Sequence, residues 1–269
     1  MEHSLETLLS RMEDILENNA FTAYLYGSVT MEDFRWGWSD IDLLCLTERE
    51  FSASQARRLA GLRQELQAAE PDNRYFRLFE GGVLPFGCYE TGGEADAAYW
   101  GTSGQRITRR FEVSVFTRLE ILDMGRLVHG RERRGEMRRP GYPELREGVA
   151  AHYAVIRRHA LPPAANLHTA GWMLDIARCL YSLRTGGIIS KTAAGEWAME
   201  QGLFPDRRVM ERILQIRREP LRYREDPAAL EWLAGLEGEI RLFTDRLGQE
   251  LEQEKQRPDN EVPSGRISV

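Results

Sequence analysis

The segment from Ile41 to Thr47 places the strongest constraint on the fold, because its run of apolar side chains is typical of a strand buried on both faces. A strand of this kind belongs to a sheet that is covered by other elements. An acidic residue, Asp42, interrupts the run, and Asp40 stands directly before it. Since a buried carboxylate is unfavourable without a partner, this pattern favours a functional role for Asp42.

The first half of the chain mixes predicted helices and strands. Apolar residues at three- and four-residue steps predict a first helix that ends near Asn18-Asn19. The later segments are predicted, in chain order, as a strand over Phe21 to Tyr26, a helix over Ser52 to Glu70, two hairpins built from strands at 75–80, 98–100 and 111–116, and a helix over 118–129.

The second half is predicted to be entirely helical. The helices are expected at 145–160, 171–184, 190–201, 206–217 and 227–252. The predicted fold class is therefore α+β: a mixed β-sheet flanked by helices in residues 1–142, then an all-α bundle in residues 143–252. The polar residues 253–269 are expected to form a disordered tail.

Composition limits the partners and the compartment. The chain has 269 residues, 42% hydrophobic content and a net charge of -6, which disfavours nucleic acid and suits a cationic partner. No apolar run has the length that a membrane span needs. Three cysteines without metal-binding spacing indicate a reducing cytoplasm, and we expect a monomer.

The motif with the clearest chemistry combines a small-residue turn with two carboxylates. Asp40 and Asp42 are two residues apart, so a strand places both on one face, where their oxygens could hold Mg²⁺. Upstream, Gly27 and Ser28 follow the first strand and are expected to open a helix whose amide groups approach phosphate oxygens. This pattern predicts transfer chemistry on a nucleoside triphosphate.

Two blocks of sequence resemble known enzymes. Gly27-Ser28 with Ser39-Asp40-Ile41-Asp42-Leu43-Leu44 is similar to the polymerase-β-type nucleotidyltransferase superfamily. The second block resembles the helical domain of the streptomycin/spectinomycin adenylyltransferases and comprises Trp172 to Arg178, Thr185 to Lys191, and Ala194 to Ala198. The resemblance implies an enzyme that uses ATP and Mg²⁺ to adenylylate an aminoglycoside, as antibiotic resistance proteins do.

The resemblance also implies roles for individual residues. Asp40 and Asp42 would bind the metal, and Arg178 and Lys191 would bind the triphosphate. A Trp of the family contacts the acceptor, and that role carries over to Trp100.

The family also uses a third carboxylate as general base. Glu80, after the apolar pair Leu78-Phe79, resembles the strand that carries this base, and it is our preferred candidate. Glu112 resembles the equivalent acid of more distant aminoglycoside nucleotidyltransferases and stays open as an alternative.

The acceptor is the point at which the sequence departs from the family. Streptomycin-modifying members have acidic residues ahead of the Arg-bearing helix, whereas Ala164 and His168 stand in the corresponding region here. Spectinomycin, another antibiotic or a metabolite therefore stays open as acceptor. The alternative function is transfer to another small molecule, or to a protein or tRNA, as in toxin–antitoxin systems.

Overall fold

The computed structural model describes residues 1–90, 94–101, 104–204 and 206–255. These residues form an α+β fold, as the sequence predicts. The chain divides into two compact units. The first comprises Met1–Glu32 with Asp40–Arg139, and the second comprises Asp33–Ser39 with Pro140–Val269. The predicted division after residue 142 did not separate residues 33–39 from the segments on either side of them.

A mixed six-stranded sheet forms the centre of the first unit, in the order β5-β4-β3-β2-β1-β6. Strands β2 and β3 are parallel, and the other neighbouring pairs are antiparallel. The strands are β1 Phe21–Tyr26, β2 Ile41–Thr47, β3 Phe79–Pro85, β4 Ala97–Gly101, β5 Gly104–Thr108 and β6 Arg126–His129. The helices are α1 Glu2–Leu16, α2 Ala53–Ala69 and α3 Val115–Met124.

Helix α2 connects the two parallel strands, which cannot be joined by a tight turn. It begins at a capping box in which the Ser52 hydroxyl accepts from the amide of Gln55 and the Gln55 side chain accepts from the amide of Ser52. Helix α2 packs against β4 and β5, while α3 packs against β1. The predicted bounds of β1 and β2 are confirmed.

Strand β3 starts later than predicted and continues through two glycines. The apolar pattern predicted a strand over 75–80 that ends at Gly81, but the observed strand is Phe79–Pro85. A Cβ atom on Gly81 would lie 1.7 Å from the carbonyl oxygen of Leu43, so glycine permits the close approach of β3 to β2. The glycines therefore belong to the strand and do not end it.

Two predictions in the region 110–129 were wrong. The segment 111–114 is irregular, and Val115 and Phe116 begin α3 instead of ending a strand. The Ser114 hydroxyl caps this helix by accepting from the amide of Thr117 at 3.1 Å. The predicted helix over 118–129 ends at Met124, and the following residues form β6, which pairs with β1.

The second unit is a helical bundle built around one central helix, α5. Helices α4, α6, α7, α9 and α10 all pack against α5. The helices are α4 Tyr142–His159, α5 Leu167–Thr185, α6 Lys191–Glu200, α7 Arg207–Arg218, α8 Pro220–Tyr223, α9 Pro227–Ala234 and α10 Glu237–Lys255.

The helix predicted over 227–252 is divided in two at Gly235, which caps α9. Residues 253–255 of the predicted tail continue α10, and 256–269 lie outside the described residues. Within the described residues, no helix has both the length and the apolar character that crossing a bilayer requires.

Candidate active site

Two carboxylates occupy directly opposed positions on the parallel strands of the first unit. Asp42 of β2 pairs in register with Glu80 of β3. Register partners on adjacent parallel strands point to the same face, with backbones about 4.8 Å apart. Every other residue of β2 and β3, both wholly within the described chain, is buried, whereas Asp42 and Glu80 are half-buried. The two acids are therefore the accessible groups of this pair of strands.

Gly27 leaves the space that the Asp42 carboxylate occupies. Its φ of 68° lies in the left-handed region, and a Cβ atom there would come within 2.3 Å of the Oδ2 atom of Asp42. The turn from Gly27 to Val29 is a single 3₁₀ turn, so the expected helix after Ser28 does not form. Asp40 is half-buried and directly precedes β2.

Three residues that were not predicted as site residues, Tyr99, Arg63 and Gly101, hold the Glu80 side of the site. The Tyr99 hydroxyl donates to the Oε1 atom of Glu80 at 2.7 Å. The buried guanidinium of Arg63 donates to the carbonyl oxygens of Phe79 and Gly101 at 2.9 and 2.8 Å. A side chain at Gly101 would collide with the Tyr99 hydroxyl and with Glu80. These contacts fix β3 and β4 around the Glu80 carboxylate.

Glu112, the alternative third carboxylate, lies outside any strand. It is exposed, in the irregular segment before α3. The neighbouring Phe111 covers Gly82, because a Cβ atom at Gly82 would lie 2.7 Å from its ring. The apolar residues around Glu112 thus cover the sheet from outside it, which explains why the sequence pattern resembled a strand.

The carboxylates of the first unit create a local excess of negative charge. Burial raises the pKa of Tyr26 well above its ordinary value, and the carboxylates of Asp42, Glu120 and Glu80 raise it further. Opposed acids on neighbouring strands repel each other, so a bound cation would relieve this repulsion.

The donor set on this face suits magnesium. Carboxylate oxygens are hard ligands of the kind that Mg²⁺ prefers. Among the described residues, no group of three or more His, Cys, Asp and Glu side chains converges on one point. This arrangement is compatible with Mg²⁺, which is held by one or two carboxylates while water and substrate phosphates complete its coordination.

Trp100, the residue expected to contact the acceptor, is completely buried. It pairs with Gly81 at the centre of the sheet. In this conformation its ring does not reach the surface, so an acceptor could contact it only after a rearrangement. Its role stays a prediction.

The second unit brings Arg178 and Lys191 to one acid, Asp175. The Lys191 ammonium lies 3.2 Å from Oδ2 of Asp175, and the Arg178 Nη1 atom lies 3.9 Å from Oδ1. Arg178 also donates through Nε to the carbonyl oxygen of Ile189 at 3.1 Å. The two cations predicted to bind triphosphate therefore share a counterion. Asp175 was not predicted, although the sequence shows it as an acid three residues before Arg178 in an otherwise apolar stretch.

The charges around Asp175 are reflected in two pKa values. Burial by itself would raise the pKa of Asp175, but Lys191 and Arg178 outweigh it and hold that pKa below the ordinary value. Burial lowers the pKa of His152, assisted by Arg178 and Lys191 and opposed by Asp175. The group is therefore an ionised acid among cations.

The second unit contains the part of the chain that matches a known family. Residues 151–231 match the family described as aminoglycoside adenylyltransferase, C-terminal domain. The resemblance predicted from the sequence is thereby confirmed for this part of the chain.

One solved structure extends the likeness in fold. The chain is similar to the spectinomycin adenyltransferase AAD(9) from Enterococcus faecialis, whose crystal structure contains ATP and spectinomycin. The TM-score is 0.61 at 15% sequence identity, and the match covers 93% of this chain and 99% of the other. No curated protein matches this chain by sequence.

Proposed function

We propose that this protein transfers AMP from ATP to a hydroxyl group of an aminoglycoside or aminocyclitol antibiotic, with Mg²⁺ as cofactor. The observation that carries the proposal is the pairing of Asp42 with Glu80 beside the Gly27 turn. The family match of residues 151–231 supports the same reaction class independently of that site.

In this proposal Glu80 is the general base. Its carboxylate accepts the proton of the acceptor hydroxyl while that oxygen attacks the α-phosphorus of ATP. The bond from the α-phosphorus to the bridging oxygen breaks, and pyrophosphate leaves. The hydrogen bond from Tyr99 to Oε1 holds the Glu80 carboxylate in place on the sheet. Placement on β3 supports Glu80 over the exposed Glu112.

Asp40 and Asp42 are the residues that would hold the metal. When bound, Mg²⁺ supplies positive charge to the phosphates and orients them for displacement. Ser28 and the backbone of the Gly27 turn lie next to Asp42 along the sheet and can donate to phosphate oxygens. Arg178 and Lys191 neutralise the triphosphate, and both side chains keep part of their surface exposed.

Charge and the comparisons both support the proposed acceptor class. The net charge of -6 favours approach of a polycation, and aminoglycosides and aminocyclitols carry several amino groups. The similar solved enzyme was crystallised with spectinomycin. An aminocyclitol therefore ranks with aminoglycosides as a substrate to test.

The test is mass spectrometry after incubation with ATP, MgCl₂ and a panel containing spectinomycin, streptomycin and other aminoglycosides. A gain of one AMP unit on at least one antibiotic is expected, together with pyrophosphate release. If the protein binds ATP but adds AMP to no antibiotic, the proposed acceptor class is wrong. Omitting MgCl₂ in the presence of a chelator should abolish the product.

A further inference from the structure

We propose that Asp175 is a positioning residue that holds Lys191 and Arg178 ready for the triphosphate. The inference rests on the proposed function and assigns a new residue to it. Asp175 is an acid in a site expected to bind an anion, so its charge alone would oppose nucleotide binding. Its contacts indicate why an acid is nevertheless useful there.

Asp175 is less exposed than the two cations that it contacts. The side chains of Lys191 and Arg178 are 28% and 24% exposed, whereas that of Asp175 is 16% exposed. If Asp175 occupied the position of a phosphate on Lys191 and Arg178, its side chain would be at least as exposed as theirs. Asp175 is therefore the less exposed counterion of the group, and the two cations have the larger exposed fractions.

The backbone that carries Lys191 is fixed as well. Lys191 is the first residue of α6, and Gly195 on the same helix permits close packing, since a Cβ atom there would lie 2.9 Å from Leu174 and Leu214. The adjacent Thr192 donates its amide and its hydroxyl to the Asp33 carboxylate. These contacts fix the backbone of α6, so only the side chain of Lys191 can move. Asp175 restrains that side chain.

Restraining a lysine has a definite benefit for binding. A flexible lysine side chain loses conformational entropy when it binds a ligand, and a side chain already held in position loses less of it. Two cations brought together also repel each other, and one carboxylate near both reduces that repulsion. Asp175 therefore makes a close Lys–Arg pair possible before the nucleotide arrives.

The experiment compares Asp175→Asn with wild type by titration calorimetry with ATP and Mg²⁺, and by steady-state kinetics. Loss of the charge should raise the dissociation constant and KM for ATP by about 10-fold to 100-fold, as expected for displaced binding groups, with little change in KM for the acceptor. The exposed Asp245, on α10, supplies a control, and Asp245→Asn should behave as wild type.

A double-mutant cycle separates positioning from a general effect on folding. In a Lys191→Met background, Asp175→Asn should change ATP affinity by a clearly smaller factor than in wild type, because the nearer of the two cations through which it acts is gone. Equal ATP affinity for Asp175→Asn and wild type would overturn the inference and leave the proposed function intact. The same large loss in both backgrounds would also overturn it. A wild-type protein that binds no ATP would instead contradict the proposed function itself.

Discussion

The guanidinium of Arg217 donates to the backbone carbonyl of Asp33 at 2.9 Å and to its carboxylate at 3.1 Å. Both side chains are almost fully buried, at 2% and 4% exposure. Replacing Arg217 with Met should lower the free energy of unfolding by up to about 3–5 kcal/mol, because the buried Asp33 carboxylate loses its buried cation and keeps the more exposed Arg35, at 3.4 Å. Urea titration followed by tryptophan fluorescence measures this loss.

The neighbouring Arg218 provides the control for that variant. It pairs with Glu196 at the surface, where its side chain is 50% exposed. Arg218→Met should cost only about 0–1 kcal/mol, the range of exposed ion pairs. Similar losses for the two variants would contradict the importance assigned to the buried pair.

Asp42→Asn should abolish AMP transfer without unfolding the protein. An amide keeps the shape of the side chain but removes the charge that binds Mg²⁺, and the loss of metal assistance should reduce kcat by at least about 100-fold. Coupled detection of pyrophosphate measures the rate, and circular dichroism checks the fold. The exposed Asp72 supplies a control, and Asp72→Asn should keep full activity. An active Asp42→Asn enzyme would disprove the metal assignment.

Glu80→Gln and Glu112→Gln form a matched pair for the general base. Removing a general base typically reduces turnover by about 10²–10⁴-fold, so Glu80→Gln should show a loss in that range. Glu112→Gln should leave kcat nearly unchanged, since Glu112 is exposed and lies outside the sheet. Single-turnover rates at saturating ATP decide between them. The reverse pattern would transfer the role to Glu112.

Gly27→Ala tests the space beside Asp42. Gly27 and Gly202 both have left-handed φ angles, 68° and 61°, so an alanine at either position should cost roughly 1–2 kcal/mol of stability. Apart from its two chain neighbours, no atom of the described residues lies within 4 Å of a Cβ on Gly202, whereas a Cβ on Gly27 would strike Asp42. Activity should therefore fall more than about tenfold, equivalent to about 1.4 kcal/mol, in Gly27→Ala only. Equal activities for the two variants would contradict this reasoning.

His152 should make stability depend on pH. Its folded pKa is lowered from the ordinary 6.5, so the unfolded chain takes up the proton first as pH falls. The stabilising contribution is complete above about pH 6.5 and declines below it, by at most about 1.4 kcal/mol per pH unit, until the folded pKa is reached. His152→Asn should weaken this decline. Urea unfolding of both proteins between about pH 7.5 and about pH 5.5 measures the difference; identical slopes would contradict the prediction.

The sequence predicted the elements whose local pattern and tertiary surroundings agree. Strands β1 and β2 have the predicted bounds, since each is apolar and ends at a clear turn. The proposed nucleotidyltransferase site could be predicted in part because Gly27, Asp40 and Asp42 are close in sequence. Arg178 and Lys191 were predicted from the resemblance, and the contact of both with Asp175 was not.

Distant pairings decided what the sequence could not predict. The segment 126–129 forms a strand because β1 is available as its partner, which a local pattern cannot reveal. The hydrogen bonds of Arg63 to Phe79 and Gly101 join residues far apart in the chain. The sequence of α2 around Arg63 therefore does not predict them. Likewise, only the register of β2 and β3 identifies Glu80 as the neighbour of Asp42.

The placement of residues 33–39 in the second unit affects how the protein could be divided into fragments. The chain passes from one unit to the other at three points, after Glu32, after Ser39 and after Arg139. A fragment that stops at Arg139 would therefore expose Asp33 without Arg217, and the complementary fragment would contain a buried arginine without its acid. Domain exchange with related enzymes should accordingly transfer the short segment together with the helical bundle.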